Sequence, residues 1–489
     1  MHGWNGEVYS VRREHPIRIL RFSGKYLWLL IFPILRGAYH FATTEDLFHW
    51  LRGTWIDLLV LLMILVFGWL LWFCRKFTIK DDQLCVTDGF LVKRKRYMPL
   101  RNLAAMTIEH PIFLRPLRVS YVSMDAASGL LNTADIRLVI RMQDEEIFLN
   151  AFPHMRTGKR HCFQHSGGIW RVLLFSLIFS SGFSSALYLA LFWFQSGRIA
   201  RDLLEQFQIT ERLNVFSEEV AARLMGIPPT AVIIGMAILF LWSFSFLRNV
   251  LRYGGFEMQS DQRIVSIKSG LLTRRSFRLI NRQINFIDMR QNLLTKLCRI
   301  FSVAVNIPGY GNQQGSIPVC MPILTVRELN DTVPMLFPSF RLTHRTLKPT
   351  KDSWYGYICI PLYTGLLTIP LFSFLKRLYP SFTDMFSFVQ LMIYIPVVWK
   401  IIIQIVSFQT TGMSISDGRA CVRYCAWTTF HTIIADTDTI VKVRIERMFW
   451  HYWTGKCHVV LYFQSEVNRS CHLWCMNYEE AKKAVAELL

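Results

Sequence analysis

One pattern recurs three times along this chain, and it constrains the fold more than any single motif. A long apolar run passes directly into a short alternating strand, a polar turn and a second strand, starting at Phe77, Phe256 and Phe408. The fullest copy is GFEMQSDQRIVSIKSGLLTRRSFRLINRQINFIDMRQNLLTKL, from Gly255 to Leu297. The copy from Phe77 adds the same Gly-Leu/Phe-Leu turn and basic cluster, whereas the copy from Phe408 keeps only the opening strands. A repeat of this length means that the folding unit is a membrane segment plus a β-domain, used three times.

Composition agrees with that unit. Of 489 residues, 52% are hydrophobic and only 18% charged, which is too apolar for an ordinary soluble protein. The formal charge of +21 fits cytoplasmic Lys and Arg beside anionic headgroups, and nucleic acid is not an expected partner. The eleven cysteines are scattered without a framework, as in a reducing compartment, so no disulfide is expected. Residues 1–25 are polar and basic and lack a small-x-small cleavage site, which predicts an uncleaved cytoplasmic start.

Residues 1–25 form a cytoplasmic segment and 26–76 a first pair of spans, of which Tyr26 to Ala42 is short and interrupted by Pro33 and Arg36. Residues 77–168 are a first β-domain, with strands near 77–80, 83–87, 90–97, 104–109, 118–124, 135–142 and 145–149. Residues 169–250 hold a second pair of spans around an outer helical loop, 195–230. Residues 251–352 form a second β-domain closed by a helix whose capping box is Thr325 with Glu328. A third pair, 353–407, contains Pro361, Pro370 and Pro396, and 408–489 is a third β-domain with Asn477 as N-cap of a closing helix. Both termini and all three β-domains are expected on the cytoplasmic side, because the basic segments then all face inward.

Phe77-x-Ile79 with Asp81, Leu84, Gly89 and Leu91, then Pro99-Leu100 and Leu103, carry a family likeness. Its second set is Phe256, Asp261, Ile264, Gly270-Leu271-Leu272, Arg274-Arg275, Ile280, Ile284 and Leu293-Leu294, and Glu14-His15-Pro16 precedes the first span. On these residues the chain resembles the bacterial pleckstrin-homology-like, membrane-flanked domain family, in its long form with three domains and three pairs of transmembrane helices. The resemblance implies an α+β membrane protein with small PH-like barrels in a bacterial cytoplasmic membrane, and it implies no particular chemistry. Two departures stand out: Cys425-Ala426-Trp427 replaces the basic cluster in the third copy, and the first copy shows no closing helix.

Two groups of residues are candidates for function. Lys93, Arg94, Lys95 and Arg96, together with Arg274, Arg275 and Arg278, follow hairpin turns and could meet lipid headgroups or another anion. Lys400 and Gln404 fall inside the last span, where ionisable groups mark sites unless the Lys stem snorkels to the interface. Cys421-x3-Cys425 and Cys471-x3-Cys475, with His431, His458 and His472, lack the spacing of zinc knuckles, so no metal is expected. No nucleotide, hydrolase or metalloprotease motif occurs, hence no cofactor and no catalytic residue. The expected function is a non-enzymatic scaffold or envelope-stress factor that binds membrane lipids and either a membrane protein partner or itself. The alternative is a component of lipid or small-molecule transport, resting on Lys400, Gln404 and Gln390.

Overall fold

The computed structural model describes residues 9–24, 55–80, 83–126, 135–152, 163–166, 168–179, 229–261, 263–307, 319–337, 342–465 and 469–488, with isolated positions between them. The expected span at 26–42 and the outer loop 195–230 lie almost wholly outside these residues. The described chain is a mixed α/β structure.

The first β-segment comprises β1 (Tyr9–Arg13), β2 (Lys76–Lys80), β3 (Gln83–Asp88), β4 (Arg94–Pro99), β5 (Leu103–Pro111), β6 (Val119–Ala126) and β7 (Ile136–Arg141). The second has β8 (Phe163–Ser166), β9 (Glu257–Ser260), β10 (Ile264–Ser269), β11 (Thr273–Ile280), β12 (Phe286–Asn292), β13 (Ile300–Asn306) and β14 (Val319–Thr325). The third has β15 (Gly412–Ser416), β16 (Arg419–Ala426), β17 (Thr429–Asp436), β18 (Ile440–Glu446), β19 (Lys456–Phe463) and β20 (Arg469–Asn477).

These strands do not form self-contained barrels. The four sheets run β1-β2-β3-β4, β7-β6-β5-β11-β10-β9-β8, β14-β13-β12-β17-β16-β15 and β18-β19-β20. Two antiparallel joints therefore carry a sheet from one segment into the next, β11 on β5 and β17 on β12. Strand alternation lets each joint serve two cores at once. In β5, Leu103, Met106 and Ile108 enter the first core while Ala104 and Ala105, at an irregularity in the pairing with β6, enter the second. In β12, Ile287 and Met289 enter the second core while Phe286 enters the third. From the other side of that joint, Ile434 of β17 reaches back into the second core.

The expected strand at 145–149 is instead the helix Glu145–Asn150. Two acids in its first turn favour the helix dipole, and Phe148 packs on Phe77 and Phe152 in the first core. This is the closing helix that the sequence did not reveal. The other two closing helices form as the caps predict: Thr325 and Glu328 satisfy each other's backbone N–H groups ahead of Val326–Leu336, and Asn477 accepts from the N–H groups of Glu479 and Glu480 ahead of Tyr478–Ala486. β4 begins four residues later than the expected strand at 90–97, because residues 89–93 are spent on the turn.

Two described helices, Trp354–Leu378 and Thr383–Thr410, contain windows long and apolar enough to cross a membrane, only 11% and 12% buried. That exposure separates them from core helices of a soluble domain. The apolar helix Trp55–Cys74 and the longer Pro229–Tyr253 likewise lead straight into strands. Each apolar stretch is bracketed by paired backbone: β1 pairs with β2, β8 with β9, and Leu347 bridges to Met413.

A buried charge cluster fixes the first bracket. Glu14 is held by Arg18 at 2.5 Å and Arg75 at 2.7 Å, and both guanidiniums also donate to the Arg137 carbonyl. Trp72 donates its indole N–H to the Glu14 carbonyl, and the His15 N–H donates to the Val139 carbonyl of β7. Helix end, N-terminal segment and β-segment are thereby tied at one point.

Because Phe286 lies in the strand that joins two cores, Phe286→Ala should cost about 3–5 kcal/mol. The expected outcome is a large fall in melting temperature in detergent, against little change for the exposed Leu91→Ala. Equal melting temperatures for the two variants would contradict the shared-core account.

Candidate functional site

The turns β3–β4, β10–β11 and β16–β17 occupy equivalent places in the three segments and present apolar side chains to the outside. Gly89 and Gly270 have φ of 98° and 101°, and a Cβ there would strike the carbonyls of Val92 and Thr273. The residues after them are apolar and open: Phe90, Leu91 and Val92 in the first turn, Leu271 and Leu272 in the second. In the third, Trp427 takes the left-handed position itself, and its ring is 87% exposed.

Two of these tips are fastened to long helices. Gly270 and Leu271 donate their N–H groups to the carbonyls of Gly254 and Leu251, at 2.8 and 2.9 Å, where the helix Pro229–Tyr253 ends. Lys400, on the helix Thr383–Thr410, donates its ammonium to the Trp427 carbonyl. Gln404 lies half-buried one turn further along. Gln390 accepts from Lys376 and donates to Tyr394, linking the two helices of the hairpin.

The structure divides the basic candidates into two sets. Lys93, Arg94, Lys95 and Arg274 are exposed beside the tips. Arg96 is held by Asp88 at 3.0 Å, Arg275 by Glu109 at 3.1 Å, and Arg278 donates to the Met155 carbonyl. All three arginines of β11 lie opposite β5, but Arg275 and Arg278 are half-buried and held by the first segment, whereas Arg274 stays exposed.

A second cationic group forms at the β17–β12 joint, from residues too far apart in sequence to mark it. Lys296 lies 4.1 Å from the Phe430 ring centroid, in the helix Leu293–Leu297 that follows β12. Burial, then the nearby Arg345 and Arg423, push its ammonium down to about 8, while Cys425 pulls the other way. Arg345 donates to the carbonyls of Gln409 and Thr411 at the end of the helix Thr383–Thr410, and Arg423 to that of Thr343. Burial raises the Cys425 thiol despite Lys400 and Lys296, so it remains neutral and unreactive near pH 7. Four cations from separated stretches thus gather here, Lys296 beside Arg345 and Arg423, and Cys425 between Lys296 and Lys400. Only strand pairing brings them together, so spacing in sequence carried no signal.

His451, His458 and Cys475 form a buried trio whose ligating atoms lie within 4.8 Å of one another. The Nδ1 atoms are already acceptors, His451 from the Met448 N–H and His458 from the Cys475 N–H. In the neutral rings each proton therefore sits on Nε2, and a metal there would have to displace it. The trio fits a packed neutral pair better than a metal centre. Burial, then repulsion from His451, pulls His458 down to about 4, and burial also lowers His451. A histidine whose folded pKa is depressed stabilises the fold fully above its ordinary value of 6.5 and loses that contribution as pH falls towards about 4. Acidification through this window should lower the melting temperature of the wild type more than that of His458→Asn, which keeps an acceptor for the Cys475 N–H. Parallel curves for the two proteins would rule out this pair as the source.

The comparisons with known proteins match these parts of the fold. The bacterial PH domain family matches residues 26–149 and 212–333, together just over half of the chain and covering β2 to β7 and β9 to β14 with the helices Trp55–Cys74 and Pro229–Tyr253. The chain is also similar to the UPF0699 transmembrane protein YdbT of Bacillus subtilis (strain 168), 19% identical over 330 residues. That match spans 62% of this chain and 64% of the relative, less than two thirds of its length. No solved structure matches. With two copies found in register with the β-segments, the chain belongs to the bacterial PH domain family.

Proposed function

We propose that this chain is a non-enzymatic, multi-pass scaffold of a bacterial cytoplasmic membrane, whose three PH-like domains lie in a row against anionic headgroups. The observation that carries the reading is the set of exposed apolar tips, flanked by cations, one seated on the end of the helix Pro229–Tyr253 and one held by Lys400 within the helix Thr383–Thr410. In water such side chains forgo about 25 cal/mol per Å² of apolar surface, which insertion at a bilayer interface would recover. Lys and Arg beside them would each add about 1 kcal/mol at an anionic leaflet.

Six spans with all domains and both termini on one side is the topology we favour. Its support is the bracketing of each apolar stretch: if β1 pairs with β2 and β8 with β9, the chain between must cross an even number of times. The transport alternative loses weight, because Lys400 is engaged with a hairpin tip and Gln390 with Lys376 and Tyr394.

Two experiments test this reading. In nanodiscs of mixed phosphatidylglycerol and phosphatidylcholine, the protein should retain phosphatidylglycerol selectively. Lys296→Ala, Arg274→Ala and Lys93→Ala should each weaken that retention by about fivefold, the equivalent of about 1 kcal/mol. Raising the pH past the value of about 8 for Lys296 should weaken it in the wild type and not in Lys296→Ala. Unchanged retention in all three variants would defeat the headgroup reading. For topology, a reporter active only outside the cytoplasm should work when fused at Gly53, Gln208 or Ser381, and activity at Gln313 or Leu489 would refute the six-span arrangement.

A further inference from the structure

The two joints between β-segments use one rule, and the rule leaves a vacancy at each end of the row. A short 3-10 turn follows the last strand of each segment's first sheet: Leu100–Asn102, Asn281–Gln283 and Thr437–Thr439. In the β11–β5 joint, the third residue after the first turn, Ala105, pairs with the residue two before the second turn, Leu279. In the β17–β12 joint, Phe286, third after the second turn, pairs with Ala435, two before the third turn. The register is the same in both.

The remaining strands of these two kinds are β4, which precedes the first turn, and β18, which follows the third. Among the described residues each has a strand neighbour on one side only. Their outward residues are open, where the equivalents in the joints are half-buried, Arg278 and Asn285, or fully buried, Ile434 and Ala104. Tyr97 of β4 is 61% exposed, and its counterpart Ile434 is fully buried. Val441 of β18 is 71% exposed, and its counterpart Ala104 is fully buried. Among the described residues, the strands that open the three segments are each flanked by the chain itself, β2 by β1, β9 by β8 and β15 by Leu347.

We propose that β4 of one copy pairs with β18 of a second copy, so that chains join head to tail through a third joint of the same kind. The shared register places Met98 opposite Lys442, Tyr97 opposite Val443 and Arg94 opposite Glu446. The last pair repeats the one between Arg275 and Glu109 in the β11–β5 joint, giving charge complementarity at the same position. Arg96 falls opposite Arg444, but each is already beside a carboxylate, Asp88 and Glu446 respectively. Pro99, which has no N–H to donate, falls just outside the paired stretch, as Ile280 and Asp436 do in the two existing joints. Tyr97 would then cover the third core of its neighbour, as Ile434 covers the second. An edge so rich in Lys and Arg resists indiscriminate strand addition, leaving a matched partner as the favoured occupant. Because the two surfaces differ, the contact is heterologous, and it closes into a ring or continues as a row in the membrane plane.

The test uses the full chain, expressed in two differently tagged forms and solubilised from membranes. Wild-type copies should capture each other. Tyr97→Glu in both forms, or Val441→Glu in both, should lower capture by about tenfold or more, since each would bury a carboxylate without a partner. Both side chains are exposed in the single chain, so the variants should melt with the wild type. Tyr97→Glu in one form and Val441→Glu in the other should restore capture, as pairs only, because each still offers one intact edge. Lys296→Ala should leave capture unchanged, which separates this inference from the headgroup reading. Wild-type copies that stay monomeric, variants that capture normally, or a mixed pair that fails to recover would each overturn the proposal, as would β4 retaining a different protein in place of a second copy.

Discussion

Everything in this architecture depends on two strands that are buried on both faces. In β5 and β12, alternate residues belong to different hydrophobic cores, so neither the sheet nor the cores can be assigned to one β-segment. A register slip of one residue would exchange Met106 with Ala105 or Phe286 with Ile287, putting a large side chain where a small one fits and the reverse. The joints are therefore held by packing on both sides as well as by their backbone hydrogen bonds. Separating two segments would uncover both cores.

The same joints organise the outer surface. At the first, Arg115, in the loop after β5, donates to the carbonyls of Leu271 and Leu272 and so supports the tip of the following segment. At the second, Lys296, in the helix after β12, rests on Phe430 at the base of the following tip. A loop from one segment thus props the apolar turn of the next, and the cations that do so remain next to it. The pattern explains why basic residues gather at joints and tips rather than being spread over the domains.

Much of this was legible in the sequence, and what was missed has a common cause. The strands, the Gly89 and Gly270 turns and the Thr325 and Asn477 caps rest on local preferences that short stretches express by themselves. The helix Glu145–Asn150 was misread because a six-residue segment with Phe148 and Leu149 has no periodicity long enough to separate helix from strand. The joints and the cations around Cys425 are products of contacts between stretches distant in sequence, whereas His451 meets His458 through the short turn between the helix Phe449–Thr454 and β19. Lys296 and Arg423 come together only because β12 lies on β17, and nothing near either residue announces the other. Of the basic candidates, Arg275 and Arg278 could not be told from Arg274 in the sequence, since the groups that hold them, the Glu109 carboxylate and the Met155 carbonyl, come from the preceding segment.

The cluster at Glu14 shows how an apolar helix can be held in one register against the first β-segment. Burying a carboxylate with two guanidiniums seldom adds net stability, because desolvation offsets the attraction, while removing one partner leaves a buried charge that is strongly unfavourable. Its value is therefore positional. Arg75 follows directly on the helix Trp55–Cys74, Arg18 lies on the short helix Arg18–Gly24, and both guanidiniums converge on Glu14 and on the Arg137 carbonyl of β7. Sliding the apolar helix by one turn relative to the sheet would strand all three charges at once. A hydrophobic contact would tolerate such a slip, whereas this one does not, and the register of the helix against the first β-segment is passed along the row by the joints.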